Sequence, residues 1–211
     1  MFTGLVQEIG RLASSSTTGA GRRFSVRAAR SFVSGVEAGD SILVNGCCQT
    51  VEGIRSGDLV FTAVPETLKR STLGSLRPGQ RLNLEKALRG EQGLGGHLVT
   101  GHVDGVGEVR RVSRHGKDVE VEVSCPPECV AFIASKGSIA VDGVSLTVVA
   151  VGRSAFTVAL IPYTLRSSIA GDYRRGYKVN LEVDIVARYV KRLADAGAAA
   201  VQAPSAWGKE K

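Results

Sequence analysis

Four cysteines and two of the three histidines are the residues best suited to chemistry. The cysteines are Cys47, Cys48, Cys125 and Cys129. Neither the adjacent pair nor the Cys-Pro-Pro-Glu-Cys run has the Cys-x-x-Cys spacing of a zinc or dithiol centre. His97 and His102 are five residues apart, which puts them on opposite faces of a strand and about 140° apart on a helix. No metal site is expected, and the thiols are expected to be reduced. Neither a Walker A run nor Gly-x-Gly-x-x-Gly occurs, so the common phosphate cradles are not expected either. Chemistry then rests on side-chain acids, bases and nucleophiles, or on the reactivity of a ligand.

An internal repeat shows which of these groups matter. Shifted by 97 residues, Thr3-Gly4-Leu5-Val6 falls on Thr100-Gly101-His102-Val103, and Asn45 to Val51 (NGCCQTV) falls on Asp142 to Val148 (DGVSLTV). Pro65-Glu66-Thr67-Leu68 meets Pro162-Tyr163-Thr164-Leu165, and Asn83-Leu84-Glu85 meets Asn180-Leu181-Glu182. The register holds without a gap, which means duplication. A period this long belongs to whole domains rather than to solenoid repeats.

Chemistry is most legible where the copies differ at otherwise fixed positions. Cys48 faces Ser145, Leu5 faces His102, and Ala87 faces Asp184. If each copy makes a pocket, the first copy supplies a thiol and the second a hydroxyl, an imidazole and a carboxylate. Thr50 and Thr147 would give each pocket a matching hydrogen bond. Structural roles are open to all of them: Cys48 as a small buried hydrophobe, His102 and the threonines as strand residues, Asp184 as a helix N-cap.

The elements that must position these residues are strands. Period-two patterns such as Val119-Glu120-Val121-Glu122-Val123 alternate with turn signals at Asn45-Gly46, Ser56-Gly57-Asp58, Pro78-Gly79, Asp142-Gly143 and Gly171-Asp172. An all-β fold follows, with one closed antiparallel barrel per copy to remove exposed sheet edges. Short helical turns are expected at 31–37 and 129–135, and again at 66–71 and 164–168. The expected domains are 1–96 and 97–184. A helix at 185–201 carries Val186, Tyr189, Val190 and Leu193 on one stripe, and a disordered tail is expected at 202–211. The helix either folds back on a barrel or meets its equivalent in another subunit.

Composition narrows the function classes. The 211 residues are 43% hydrophobic and 22% charged, ordinary values for a globular chain of one or two domains. The net charge of +7 invites an anionic partner, but the basic pairs are scattered and aromatics are only 5%, too sparse for a base-stacking platform. No nucleic-acid partner, membrane span or signal peptide is expected, and the setting is read as cytoplasmic.

MFTGLV, NGCCQTV, PETL, GGHLVTGHVDGVG, DGVSLTV, IPYTL and NLEVD, in this order and doubled spacing, resemble the alpha-type riboflavin synthase family from about Met1 to Arg192. The resemblance implies a homotrimer of subunits with two tandem six-stranded Greek-key barrels and a C-terminal oligomerisation helix. It implies dismutation of two molecules of 6,7-dimethyl-8-ribityllumazine to riboflavin and 5-amino-6-ribitylamino-2,4-pyrimidinedione, with no cofactor. It also admits lumazine synthase as a protein partner. A noncatalytic lumazine- or flavin-binding homologue is the alternative.

Carried over by motif, the first pocket takes Gly4, Leu5, Val6, Cys48, Gln49, Thr50, and the run Thr62, Ala63, Val64, Pro65, Glu66, Thr67. The second takes Gly101, His102, Val103, Lys136, Ser145, Leu146, Thr147, the run Ile161, Pro162, Tyr163, Thr164, Leu165, Arg166, and Asp184, with Phe2 where the pockets meet. Cys48, His102, Ser145 and Asp184 are the implied catalytic groups. Gln49 departs from the family's usual Leu, and Tyr163 from its Glu or His; both are expected to alter pocket polarity.

Overall fold

The computed structural model describes residues 1–90, 92–116 and 118–202; of the expected tail, positions 203–211 lie outside them. The first unit contains β1 (Glu8–Thr18), β2 (Gly21–Arg27), β3 (Ser41–Val44), β4 (Cys47–Thr50), β5 (Gly53–Arg55), β6 (Asp58–Ala63) and β7 (Arg81–Lys86), with helical turns α1 (Arg30–Val33) and α2 (Pro65–Arg70). The second contains β8 (Gly105–His115), β9 (Asp118–Ser124), β10 (Ser138–Val141), β11 (Val144–Val151), β12 (Ala155–Leu160) and β13 (Lys178–Val183), with α3 (Pro127–Val130) and α4 (Pro162–Ser167). Helix α5 (Ile185–Gln202) follows. All four turns start one or two residues before the expected bounds, and α1 and α3 also end four and five residues sooner; α3 starts on Pro127, whose fixed φ suits a first helical position.

The second unit is a closed barrel in the order β10-β11-β12-β9-β8-β13. The first is a seven-stranded sheet, β4-β3-β7-β1-β2-β6-β5. Joining β4 to β5 would reproduce the order of the second unit, so the expected second closed barrel is interrupted at a single strand. The interruption falls at Val51-Glu52, and at the equivalent place β11 carries an irregularity between Val148 and Ala150. Gly53, with φ of 158°, stands where the second unit has Ala150. The same local kink is thus a bulge in one copy and a break in the other. A second pair of bulges, Leu12/Ser14 and Val109/Arg111, also repeats at the offset of the sequence.

Strand alternation puts Val119, Val121 and Val123 inside the barrel and Glu120 and Glu122 on its outer face. Phe24 and Phe61 stack at 5.3 Å in the core of the first unit. Burying each such side chain stabilises by roughly 1.5–3 kcal/mol, so the cores are the main source of rigidity beneath the loops.

The units meet across a pseudo-twofold axis. Asn45-Gly46 and Asp142-Gly143 form hairpin turns with positive φ at both residues of each pair, the type I′ geometry that Asn-Gly and Asp-Gly favour. A Cβ on Gly46 would lie 2.5 Å from the backbone nitrogen of Gly143, so the two turns touch. Asn83 Nδ2 donates to the carbonyl of Asp142, while its Oδ1 accepts from Ile169 N. Asn180 repeats both bonds in the opposite direction, to Asn45 and from Thr72. Among the described residues no helix is long and apolar enough to cross a membrane.

Candidate functional site

Each unit is preceded by a short arm, and the arms set the pockets. Glu85 Oε1 accepts from Thr3 N at 2.7 Å and from Thr3 Oγ1 at 2.9 Å, and its Oε2 accepts from Gly4 N at 3.1 Å. Glu182 holds Thr100 and Gly101 in the same way, at 2.7, 2.7 and 2.9 Å. Burial pushes both carboxyls up, and the hydrogen bonds they receive oppose that shift. These are buried clamps on the arms, made by the acidic residue of each NLE run.

The arms cross. Ser145 N donates to Gly4 O at 2.8 Å, and Cys48 N donates to Gly101 O at 2.9 Å. Gly4 and Gly101 have φ of 75° and 82°, and a Cβ on either would lie 2.7 or 2.5 Å from the Cβ of its partner. Only glycine allows this approach. Gly101-His102-Val103 therefore lies at the face of Cys48 in the first unit, and Gly4-Leu5-Val6 at that of Ser145 in the second. Within one chain this grouping differs from the one the resemblance implies, because an arm anchored on its own β7 or β13 reaches over the hairpin of the other unit. Phe2 is buried at the crossing, paired by a backbone bridge to Val99.

Alternation along β4 and β11 sorts the neighbouring residues. Cys48 and Ser145 are half-buried and Thr50 and Thr147 exposed, while Gln49 and Leu146 turn inward. Gln49 Nε2 donates to Cys48 O at 2.7 Å. Leu146 belongs to the core of the second unit and Leu165 packs against it. The side chains of Gln49 and Leu146 thus face the interior of their units, and Leu165 is half-buried against the core. Val64 and Ile161 are exposed apolar side chains at equivalent places beside α2 and α4, and Tyr163 is exposed on α4. Ala63 is buried, whereas Thr62 and Thr67 are half-buried and Pro65 is exposed. Glu66 pairs with Arg70 on the outer side of α2. Pro162 and Thr164 are half-buried and Arg166 exposed. Lys136 is exposed with φ of 65°, where the first unit has Gly39. A lysine held in a backbone region that favours glycine supports a use for its side chain.

His102 is exposed in a groove of about 380 Å³ that also contains Arg70, Val103, Asp104 and Arg188. Cys48 lies under the Gly101 end of the same arm, bonded to it through its backbone nitrogen, and burial pushes its thiol up, which favours the neutral form. The second pocket holds a pair that the sequence did not disclose: His97 Nδ1 lies 2.7 Å from Ser145 Oγ. His97 is buried, its Nε2 is shielded from water and, among the described residues, lacks a hydrogen-bond partner. Burial pushes its pKa down, opposed by the charge of Asp184, which favours a neutral imidazole able to accept the Ser145 proton. The 97-residue offset gives His97 no counterpart, so comparison of the copies could not single it out; its signal was the Gly-Gly that precedes it. A Cβ on Gly96 would lie 2.1 Å from Thr3 O. Asp184 Oδ1 accepts from Val186 N at 2.9 Å, the N-cap role for α5.

The described residues include no group of three His, Cys, Asp or Glu side chains suited to a metal ion. Two equivalent faces with unlike polar groups can hold two similar molecules and treat them differently. One offers an imidazole and a neutral thiol, the other a hydroxyl with a base in contact.

The class of protein is set by a family match: the lumazine binding domain matches twice, over residues 3–87 and 100–184. Solved structures of LumP share the architecture. The complex with riboflavin has a TM-score of 0.80 and 26% identity, covering 87% of this chain and 99% of that one. The complex with 6,7-dimethyl-8-(1'-D-ribityl)lumazine has a TM-score of 0.79 over the same shares at 24% identity. Riboflavin synthase of Mycobacterium bovis is 45% identical over 205 residues, 92% of this chain and 98% of that protein. That of Photobacterium phosphoreum is 37% identical over 193 residues, 92% of this chain and 88% of the other. The chain belongs to the riboflavin synthase family.

Proposed function

We propose that the protein dismutates two molecules of 6,7-dimethyl-8-ribityllumazine, one giving a four-carbon unit to the other, to form riboflavin and 5-amino-6-ribitylamino-2,4-pyrimidinedione. The observation that carries this reading is the pair of crossed arms over unlike groups, Cys48 under the arm that carries His102 and Ser145 in contact with His97. The net reaction is redox-neutral, so it requires no redox cofactor. The 7-methyl group is acidic because its carbanion delocalises into the heterocycle, and an imidazole is a sufficient base. His102 takes that role. Addition of an oxygen nucleophile at C7 of the second molecule prepares the other partner, and Ser145 supplies or positions it with His97 as the proton acceptor. Cys48, held neutral, orients the ring rather than attacking as a thiolate. Val64 and Ile161 offer apolar edges to the two heterocycles. Holding two rings face to face contributes up to about 7–11 kcal/mol of orientation.

A homotrimer completes the site, in which the first unit of one subunit faces the second unit of its neighbour. Helix α5 supports this: Val186, Tyr189, Val190 and Leu193 form one stripe and are 56–72% exposed. The four unpaired thiols support a cytoplasmic setting. The test is riboflavin formation, read by absorbance, from purified protein and the lumazine alone. Pigment retained without turnover would replace the enzyme by a lumazine- or flavin-binding protein of the same fold.

A further inference from the structure

The second unit carries a concentration of positive charge that the pockets do not use and that the barrel engages only in part, through Arg111 with Glu122 and Arg174 stacked 5.5 Å over the Tyr177 ring. A groove of about 690 Å³ is lined by Arg110, Arg111, Arg114, Arg174 and Arg175, with Tyr173 also lining it. Arg110 to Arg114 lie on β8, about 13 Å from end to end at the rise of a strand. Arg174 and Arg175 come from the turn before β13, which is tied to β8 by Gly176 N donating to Val109 O at 2.8 Å.

The duplication supplies an internal control. The first unit has the same backbone there, with Gly79 N donating to Leu12 O at 2.7 Å. Its side chains at the five equivalent positions are Ala13, Ser14, Thr17, Arg77 and Pro78. The fold therefore does not need the arginines, and their mutual repulsion opposes gathering them. Little nearby negative charge offsets it. Arg111 reaches Glu122 at 3.5 Å. Arg110 donates to a serine hydroxyl, and Arg174 to the backbone carbonyl of Asp172. The Asp172 carboxylate is already engaged by Arg81 at 2.8 Å. Among the described residues Arg110, Arg114, Arg174 and Arg175 have no carboxylate within ion-pair distance.

We propose that this groove is a second binding site, separate from the lumazine pockets, for a small molecule bearing linked phosphates of the nucleoside di- or triphosphate type. Guanidinium forks match phosphate oxygens in pairs, and five of them exceed the need of a single phosphate. The groove has the volume of a small-molecule site. Five guanidiniums converge on one concavity, with Arg81 and Lys178 in an adjoining groove that shares Arg174, and aromatic side chains are only 5% of the chain, which disfavours a base-stacking nucleic-acid track.

The test is calorimetric titration of the full chain with inorganic tripolyphosphate at low salt. Saturable binding is expected, at least tenfold tighter than for inorganic phosphate. Arg114→Glu with Arg175→Glu should weaken it at least tenfold, and the milder Arg114→Gln with Arg175→Gln should weaken it less. Both residues are exposed, so the circular dichroism and lumazine binding of these variants should match the parent. Arg77→Glu, at the equivalent place in the first unit, should leave tripolyphosphate binding unchanged. The proposal is overturned by absence of saturable binding, by an undiminished affinity in the double variants, by equal loss in Arg77→Glu, or by duplex DNA binding more tightly than tripolyphosphate in the same buffer.

Discussion

Replacing Asp142 by Asn should flatten the dependence of stability on pH. Asp142 is fully buried at the contact between the units, where its Oδ1 accepts from Asn180 N and its Oδ2 from Tyr173 Oη, at 2.8 and 2.9 Å. Burial pushes its pKa from 3.8 up to about 7, against the opposing effect of those two hydrogen bonds. An acid that binds its proton more tightly when folded gives stability that is fully present below the unfolded pKa and lost as pH rises through the folded one. The window is therefore about pH 4 to 7. At 1.36 kcal/mol per unit the full difference is roughly 4 kcal/mol, of which roughly 3 kcal/mol falls between pH 5 and pH 8. The first unit shows that the amide is tolerated: Asn45 occupies the equivalent turn and its Oδ1 accepts from Asn83 N at 2.8 Å. In Asp142→Asn the amide oxygen keeps the bond from Asn180, and the amide nitrogen donates to the tyrosine oxygen. For a chain of this size the melting temperature of the variant relative to wild type should rise by about 6 to 12 °C from pH 5 to pH 8. Differential scanning calorimetry of both proteins across that range reads the difference directly. Parallel pH profiles would refute the assignment of a buried, titrating carboxyl.

The pocket groups carry the remaining predictions. His102→Ala and Cys48→Ser should each lower turnover at least tenfold with the fold intact, since a proton-transfer group is typically worth 10²- to 10⁴-fold; near-normal rates in both would remove them from the mechanism. Ser145→Ala and His97→Ala should each slow turnover, and the double variant should be little worse than either, because the two act through one contact; additive losses would show independent roles. Glu182→Gln places an amide group against the Thr100 and Gly101 donors, so the arm over Cys48 should loosen at a cost of about 1–3 kcal/mol, with turnover falling more than in a surface control such as Glu52→Gln. Removal of residues 190–211, which spares Arg188 in the His102 groove, should leave the units folded and able to bind lumazine, because every residue assigned to a pocket is kept. Sedimentation should find a monomer with little turnover, and a fully active monomer would show that both substrates are held by one subunit.

Much of the fold was legible because duplication makes a sequence check itself. Asn45-Gly46 and Asp142-Gly143 specified two hairpins, the Val-Glu alternation specified β9, and the stripe from Val186 to Leu193 specified α5. Three features were hidden for physical reasons. The interruption at Val51-Glu52 depends on how one bulge is resolved, which composition does not encode. The inward turn of Gln49 follows from the register of β4, and a polar residue read as pocket-facing proved to be satisfied inside the core by Cys48 O. The crossing of the arms is a long-range event: Gly4 is required by contact with Ser145, a residue 141 positions away.

That crossing explains how two nearly equal scaffolds can come to do unequal work. Because each pocket draws its hairpin from one unit and its arm from the other, a change in one arm alters the pocket of the opposite unit. Leu5 against His102 thus distinguishes the pockets without disturbing either core, since both side chains lie on the exposed side of arms whose backbone is clamped by Glu85 or Glu182. His97 extends the same logic. It lies on the segment that leads into the second arm, yet its ring reaches Ser145 under the first arm, a place for which the first unit has no duplicated residue. Asp184, where the first unit has Ala87, caps the helix that follows only the second unit and also sets its charge near His97. The differences between the copies therefore divide by location. Leu5 and His102 lie on the arms, Cys48 and Ser145 on the hairpin strands beneath them, Asp184 starts α5, and the arginines of β8 and of the turn before β13 mark a surface that the first unit lacks.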